Sequence, residues 1–265
     1  MEFRPCIDIH NGKVKQIVGG SLKDKGNEAL ENFVSQQDGA FYANMYKQDG
    51  LKGGHIILLN PVGSEYYEAD VEQAKLALHA YPGGLQVGGG ITDENAERFL
   101  KEGASHVVVT SFVFKDGKIN YENLEKLVSA VGKEHLVLDL SCRRKQDEHG
   151  EEQYYVVTDR WQKFTNTVLN KKVMTELARY CDEFLIHAVD VEGKANGVEK
   201  ELVALLATCE EYVVTYAGGV GSFKDLQELK TIGNNRINVT IGSALDLFGG
   251  AMNYAEVLKK CRECM

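Results

Sequence analysis

The chain has 265 residues, 43% of them hydrophobic, and a formal net charge of −9, which allows one large core or two modest ones and argues against nucleic acid as a partner, since that affinity rests on clustered Lys and Arg. No stretch approaches the roughly 18 uninterrupted apolar residues of a membrane span, and MEFRPCIDI runs straight into a strand pattern without a signal-peptide apolar region. Six scattered cysteines in so large a chain fit reduced thiols, so the expected location is cytoplasmic, or a plastid if a transit peptide has been removed.

Short apolar runs alternate with longer amphipathic ones. In chain order the predicted strands are FRPCIDI, GHIILLN, LQVGG, HVVVTS, LVLDLS, EFLIHAV, YVVTYAGG and INVTIGS. The first is followed by a Gly- and Asn-rich segment, 10–34, read as a long loop, and then by the helical pattern SQQDGAFYANMYKQDG. The next helical patterns are SEYYEADVEQAKLALHAY, TDENAERFLKEG and NYENLEKLVSAVG. After the fifth strand comes the main irregularity, 142–168, charged at first and then strand-like at YYVV; it reads as a long loop carrying a small hairpin. The helical patterns resume with NKKVMTELARYC, EKELVALLATC, SFKDLQELKTIG and NYAEVLKKCREC. Thr92, Asn120 and Ser222 stand as N-caps with acids after them, and Gly103, Gly132 and Gly233 as helix stops. Eight strands each followed by a helix predict an α/β fold, a single (β/α)8 barrel over 1–265 with extended loops after strands one and five.

The two halves repeat. Asp8 and Asp139 are 131 positions apart, Gly89 and Gly219 are 130, and Ser111 and Ser243 are 132; two duplicated half-barrels are the simplest reading. In such a barrel the strand C-termini form the active face, and Asp8, Asp139, His187, Asp190 and Glu192 all fall there. Glycines at strand ends let the backbone approach an anion. Gly89, Gly90, Thr110 and Ser111 on strands three and four, and Gly218, Gly219, Gly242 and Ser243 on seven and eight, make two cradles. They imply a ligand with a phosphate at each end and its middle between Asp8 and Asp139. Two carboxylates flanking that middle suit proton shuttling. The histidines lack HxH or HExxH spacing, so no metal is expected; His55, His79, His106 and His135 read as core or edge packing, whereas His187 closes strand six beside the acids. No lysine stands at an apolar strand end, no GxSxG elbow or Walker loop occurs, and QVGGGI lacks the Rossmann spacing.

Taken together, PCIDIHNGKVKQIVGG, LQVGGGI, VVVTSFVF, LVLDLSCRRK, FLIHAVDVEG, TYAGGV and VTIGSALDLFGG resemble the histidine-biosynthesis ProFAR isomerases, in their eukaryotic-type branch, over nearly the whole chain. The resemblance implies a cofactor-independent Amadori rearrangement of a bisphosphorylated aminoaldose to an aminoketose. It implies Asp8 as the general base and paired phosphate sites at the two cradles. It also implies that Trp161, the only tryptophan, stacks on the substrate imidazole. Asp139 matches the family's strand-five aspartate, and alignment on Gly193 puts His187 at the family's threonine and Glu192 at its last aspartate, so the general acid is open among these three. Two rivals stay in view: the sister ammonia-dependent cyclase of the same pathway, and a non-catalytic phosphosugar-binding barrel. A monomer is expected.

Overall fold

The computed structural model describes residues 1–17 and 31–263. Eight parallel strands run in chain order around one sheet: β1 Cys6–His10, β2 Gly54–Leu58, β3 Leu85–Gly88, β4 Val107–Val109, β5 Leu136–Asp139, β6 Glu183–His187, β7 Val213–Ala217 and β8 Asn238–Thr240. Each pairs with its successor. The ring closes just before β1. Phe3 bridges Val239 in parallel register, with Arg4 N donating to Val239 O at 2.8 Å and Val239 N to Glu2 O at 3.0 Å. The predicted (β/α)8 barrel is the fold.

The eight helices follow one per strand: α1 Gly39–Gln48, α2 Tyr67–Ala80, α3 Ala96–Lys101, α4 Tyr121–Val131, α5 Lys171–Leu177, α6 Lys200–Ala207, α7 Phe223–Ile232 and α8 Tyr254–Arg262. Their apolar stripes bury Leu78, Leu124, Leu127, Leu202, Leu229 and Val257 against strand residues such as Ile7, Ile56, Leu85, Leu136 and Val239, in one continuous core. Asn120 and Ser222 accept from the N–H groups of Asn123 and Asp225 as N-caps, and Gly132 and Gly233 end their helices. Thr92 does not cap α3. The N-cap is Asn95, whose Oδ1 accepts from Thr92 N at 2.9 Å, so the segment from Thr92 forms a preceding turn and not a helical first turn.

Inside the barrel, Val108, Val137 and Leu185 form a small cluster of their own. At the strands' N-terminal ends, Glu183 Oε2 accepts from Arg4 Nη1 at 2.5 Å and from Gln86 Nε2 at 2.7 Å. All three side chains are buried, so a paired charge fixes that end of the barrel.

Two extensions rise beyond the strand C-termini. The chain turns after β1 at Asn11-Gly12, both with positive φ (53° and 70°), and returns as strand Lys13–Ile17, antiparallel to β1. This is the Asn-Gly hairpin chemistry that favours a two-residue turn. Glu31–Val34 then adds antiparallel to Lys13–Ile17. Of the segment expected as a loop, 10, 13–17 and 31–34 are thus sheet, 11–12 is the turn between strands, and 18–30 lies outside the described residues. After β5 the chain makes a three-stranded antiparallel sheet, Cys142–Gln146, Glu152–Thr158 and Lys163–Val168, larger than the small hairpin expected. Arg143 Nε and Arg144 N donate to Asp190 at 2.8 and 2.9 Å, and Arg144 Nη2 to Glu199 at 2.6 Å, which clamps this sheet to the loop after β6. Asp190 is thereby occupied by two donors.

Candidate active site

The mouth of the barrel opens into a cavity of about 760 Å³ at the strand C-termini. Asp8, Asp139, His187, Glu192, Gly89, Gly90, Thr110, Ser111, Trp161, Gly218, Gly219, Gly242 and Ser243 all line it. So do Cys6, Gln16 and Arg160, which the sequence did not single out, and His55, which it read as packing. The β1 hairpin supplies Gln16, whose Nε2 donates to Asp8 Oδ2 at 3.1 Å.

Both glycine runs stand where the chain passes close to a neighbouring backbone. A Cβ on Gly89 (φ +103°) would stand 2.1 Å from Leu58 O, and one on Gly219 (φ +77°) 2.0 Å from Gly197 O. Any side chain at either place collides with the neighbouring backbone, so close chain approach by itself requires glycine. What remains for a ligand is the amides. Among the described residues, nothing accepts from the N–H groups of Gly90, Gly219 or Ser243, and groups of unused N–H donors at βα turns bind anions.

The titratable groups fall into two sets. On one side Asp139 Oδ1 accepts from Ser141 N at 2.8 Å and Ser141 Oγ at 2.7 Å, with His187 Nδ1 at 3.4 Å. Burial alone would raise the Asp139 carboxyl, but His187 and the Ser141 donors outweigh it and hold the carboxyl below its usual range. Burial would likewise lower His187; Asp139, with lesser help from Glu192 and Asp8, instead lifts it to about 9. The pair is therefore carboxylate and imidazolium at neutral pH. On the other side, burial and the nearby Glu192 charge raise Asp8 to about 7. Burial also raises Glu192, whose Oε2 is buried without a hydrogen-bond partner. One buried set thus holds a proton near pH 9 while the other gives one up near 7, a separation suited to paired acid and base roles.

His55, expected as packing, is buried, but it lies edge-on to His187 with ring centroids 5.9 Å apart. Burial, followed by the charge of His187, lowers it to about 3, so it stays neutral. Trp161 reaches in from the turn between the last two strands of the added sheet. Its Nε1 donates to Ser141 Oγ at 3.0 Å and its ring lies 5.5 Å from that of His187. Asp159, Arg160 and Trp161 have φ of 52°, 55° and 67°, three consecutive left-handed non-glycine residues, a costly conformation held where it serves a site. Asp159 N donates to Ser111 Oγ at 3.0 Å, so this turn touches the cradle after β4 as it delivers the indole to Ser141, the partner of Asp139 on the neighbouring strand.

A (β/α)8 barrel with acid–base groups and unused backbone N–H donors at its mouth defines the class of acid–base barrel enzymes. Within that class the chain belongs to the family described as histidine biosynthesis protein, whose model matches residues 2–252. It is 54% identical over 264 residues to a chloroplastic imidazole-4-carboxamide isomerase of Medicago truncatula, covering 97% of this chain and 81% of that protein. It is 45% identical to the corresponding isomerase of Yarrowia lipolytica and 41% to that of Saccharomyces cerevisiae, each alignment covering 94% of this chain and 93% of the relative. The substrate in each of these relatives' names carries two phosphoribosyl groups.

Proposed function

We propose that this protein is a ProFAR isomerase, converting the bisphosphorylated aminoaldose to its ribulosyl aminoketose by general acid–base catalysis without a cofactor. The observation that carries the reading is the split between Asp8, raised to about 7, and the His187–Asp139 pair, in which the imidazolium persists to about 9. The relatives' isomerase names and the two glycine cradles support it.

His187 gives a proton to the ribose ring oxygen as the C1′–O bond breaks, leaving a Schiff base at C1′. Asp8 then takes the proton from C2′ and returns it to C1′ of the resulting enolamine, whose 2′-hydroxyl proton goes back to His187 as the ketone forms. Asp139 serves as the counter-ion that keeps His187 charged and aimed, because its Oδ1 already accepts from Ser141 and His187 and it is the poorest proton donor of the three candidates. Glu192, raised by burial and with its Oε2 lacking a hydrogen-bond partner, stands beside Asp8, and its charge raises Asp8 in turn. Gly89, Gly90, Thr110 and Ser111 hold one phosphate and Gly218, Gly219, Gly242 and Ser243 the other, while Trp161 stacks on the imidazole.

The reading places the protein in a reducing compartment, the cytoplasm or, as the name of the Medicago relative suggests, a plastid. Among the described residues no helix is long and apolar enough to cross a membrane. The reading also takes the monomer as the working unit. The test is turnover of ProFAR by the purified chain with no ammonia source, followed by the change in imidazole absorbance. Ammonia-dependent cyclisation instead would make it the sister cyclase, and two-phosphate binding without turnover would make it a binding barrel.

A further inference from the structure

The floor of the cavity holds a donor set that the proposed chemistry leaves mostly idle. Cys6 and Asp8 stand two positions apart on β1 and share a face, and His55 on β2 is the register partner of Cys6. One ligand atom from each, the thiol sulfur, a carboxylate oxygen and an imidazole nitrogen, lie within 4.8 Å of one another. All three residues line the cavity. The amide of Gln16 shows where their lone pairs converge, since its Nε2 donates both to Cys6 Sγ at 3.6 Å and to Asp8 Oδ2 at 3.1 Å.

The donor chemistry selects the ion. Mg²⁺ and Ca²⁺ take oxygen ligands, whereas one sulfur, one nitrogen and one oxygen suit Zn²⁺ and its spectroscopic analogue Co²⁺. Tetrahedral coordination at roughly 2.0–2.3 Å sets ligand atoms about 3.5 Å apart, so side-chain rotations that close the widest gap by about 1 Å, with Gln16 turning aside, complete the site. Three protein ligands facing a cavity leave the fourth position for water. The second grouping, His106, Asp182 and Glu183, is poorer because Glu183 Oε2 is already taken by Arg4 and Gln86.

We propose that Cys6, Asp8 and His55 form an inhibitory Zn²⁺ site. The thiol proton leaves to solvent, thiolate and carboxylate neutralise the dication, and Asp8, now a ligand, no longer accepts a proton from carbon. Binding stands on the donor geometry alone; inhibition rests in addition on the isomerase reading.

Co²⁺ titration of the full chain tests the binding. A thiolate-to-cobalt charge-transfer band should appear at one equivalent, vanish in Cys6→Ser, weaken at least tenfold in His55→Gln, and survive in Cys264→Ser, which removes half of the C-terminal CxxC. A band that persists in Cys6→Ser, or is lost in Cys264→Ser, overturns the site. On the unaltered chain, saturating ribulosyl product should displace the band, and failure to displace it overturns the placement even where a variant does not fold. Zn²⁺ should inhibit turnover competitively with ProFAR and be reversed by a chelator; non-competitive inhibition overturns the block at Asp8. A chain that shows the Cys6-dependent band yet no isomerisation keeps the metal site and loses the functional reading.

Discussion

Replacing Asp8 by Asn should abolish turnover and at the same time stabilise the fold. The Asp8 carboxyl rises from 3.8 to about 7, so the native protein disfavours its charge. In the sign convention of proton linkage, a carboxyl raised on folding binds protons more tightly in the native state, and stability falls as pH climbs from the unfolded value near 4 to the folded value near 7. At about 1.4 kcal/mol per pH unit the ceiling is ~4 kcal/mol; with Asp8 partly open to the cavity, about 2 kcal/mol is a fair expectation. For a chain of this size that is a rise in Tm of roughly 4–8 °C. The check is a urea or thermal melt of both proteins at pH 4, 6 and 8. The gap should be near zero at pH 4, open through pH 6 and level off above 7. A gap that is constant with pH, or an Asn variant less stable than its parent at pH 8, would refute the claim that charge on Asp8 is held at a cost.

Turnover of the parent should follow a bell whose acid limb lies near 7, where Asp8 must lose its proton, and whose alkaline limb lies near 9, where His187 must keep one; His187→Asn should remove the alkaline limb and lower kcat by about 10²–10⁴-fold, and survival of that limb would move the acid role to Glu192. Asp139→Asn should lower the alkaline limb toward neutrality, because the imidazolium loses the carboxylate that raises it, and an unmoved limb counts against the counter-ion role. Gly219→Ala and Gly89→Ala, each forcing a Cβ to about 2 Å from a backbone carbonyl, should cost several kcal/mol in unfolding experiments and weaken bisphosphate binding in calorimetry. At the opposite end of the barrel, Arg4→Met leaves Glu183 buried without its partner, so melts should show a loss of about 3–5 kcal/mol while kcat in the surviving folded fraction stays unchanged.

The barrel was legible because short apolar runs alternate with longer amphipathic ones eight times over, and the barrel geometry then places Asp8, Asp139 and the glycine runs at one mouth without further information. The hairpin after β1 had its signal, Asn11-Gly12 between alternating residues, but the Gly content around it read as loop. Lys163–Val168 escaped because KFTNTV carries little apolar pattern; its pairing with Glu152–Thr158 makes it a strand. At α3, the N-cap preference of Thr92 lost to the Asn95 turn. His55 lies in the uniformly apolar run HIILL, where nothing marks one residue as facing the cavity; its role comes from register against Cys6. Ser141 was within reach, since a hydroxyl two positions after an aspartate commonly bonds back to it. The division of proton affinities between Asp8 and His187 was not, because burial and charges from β1, β5, β6 and the loop after β6 set it.

The seam of the barrel joins the start of the chain to its far end. Phe3 and Arg4 meet Val239, Glu2 N donates to Asn238 Oδ1 at 2.9 Å, and Thr240 Oγ1 donates to Arg4 O at 2.8 Å. During synthesis the first residues therefore leave the ribosome more than two hundred residues before their partners exist. Until then β1, with Asp8 on it, has only β2 and its own hairpin as neighbours. Closing so long a loop is slow, and until β8 is made the seam beside β1 stays open, with only the hairpin next to it.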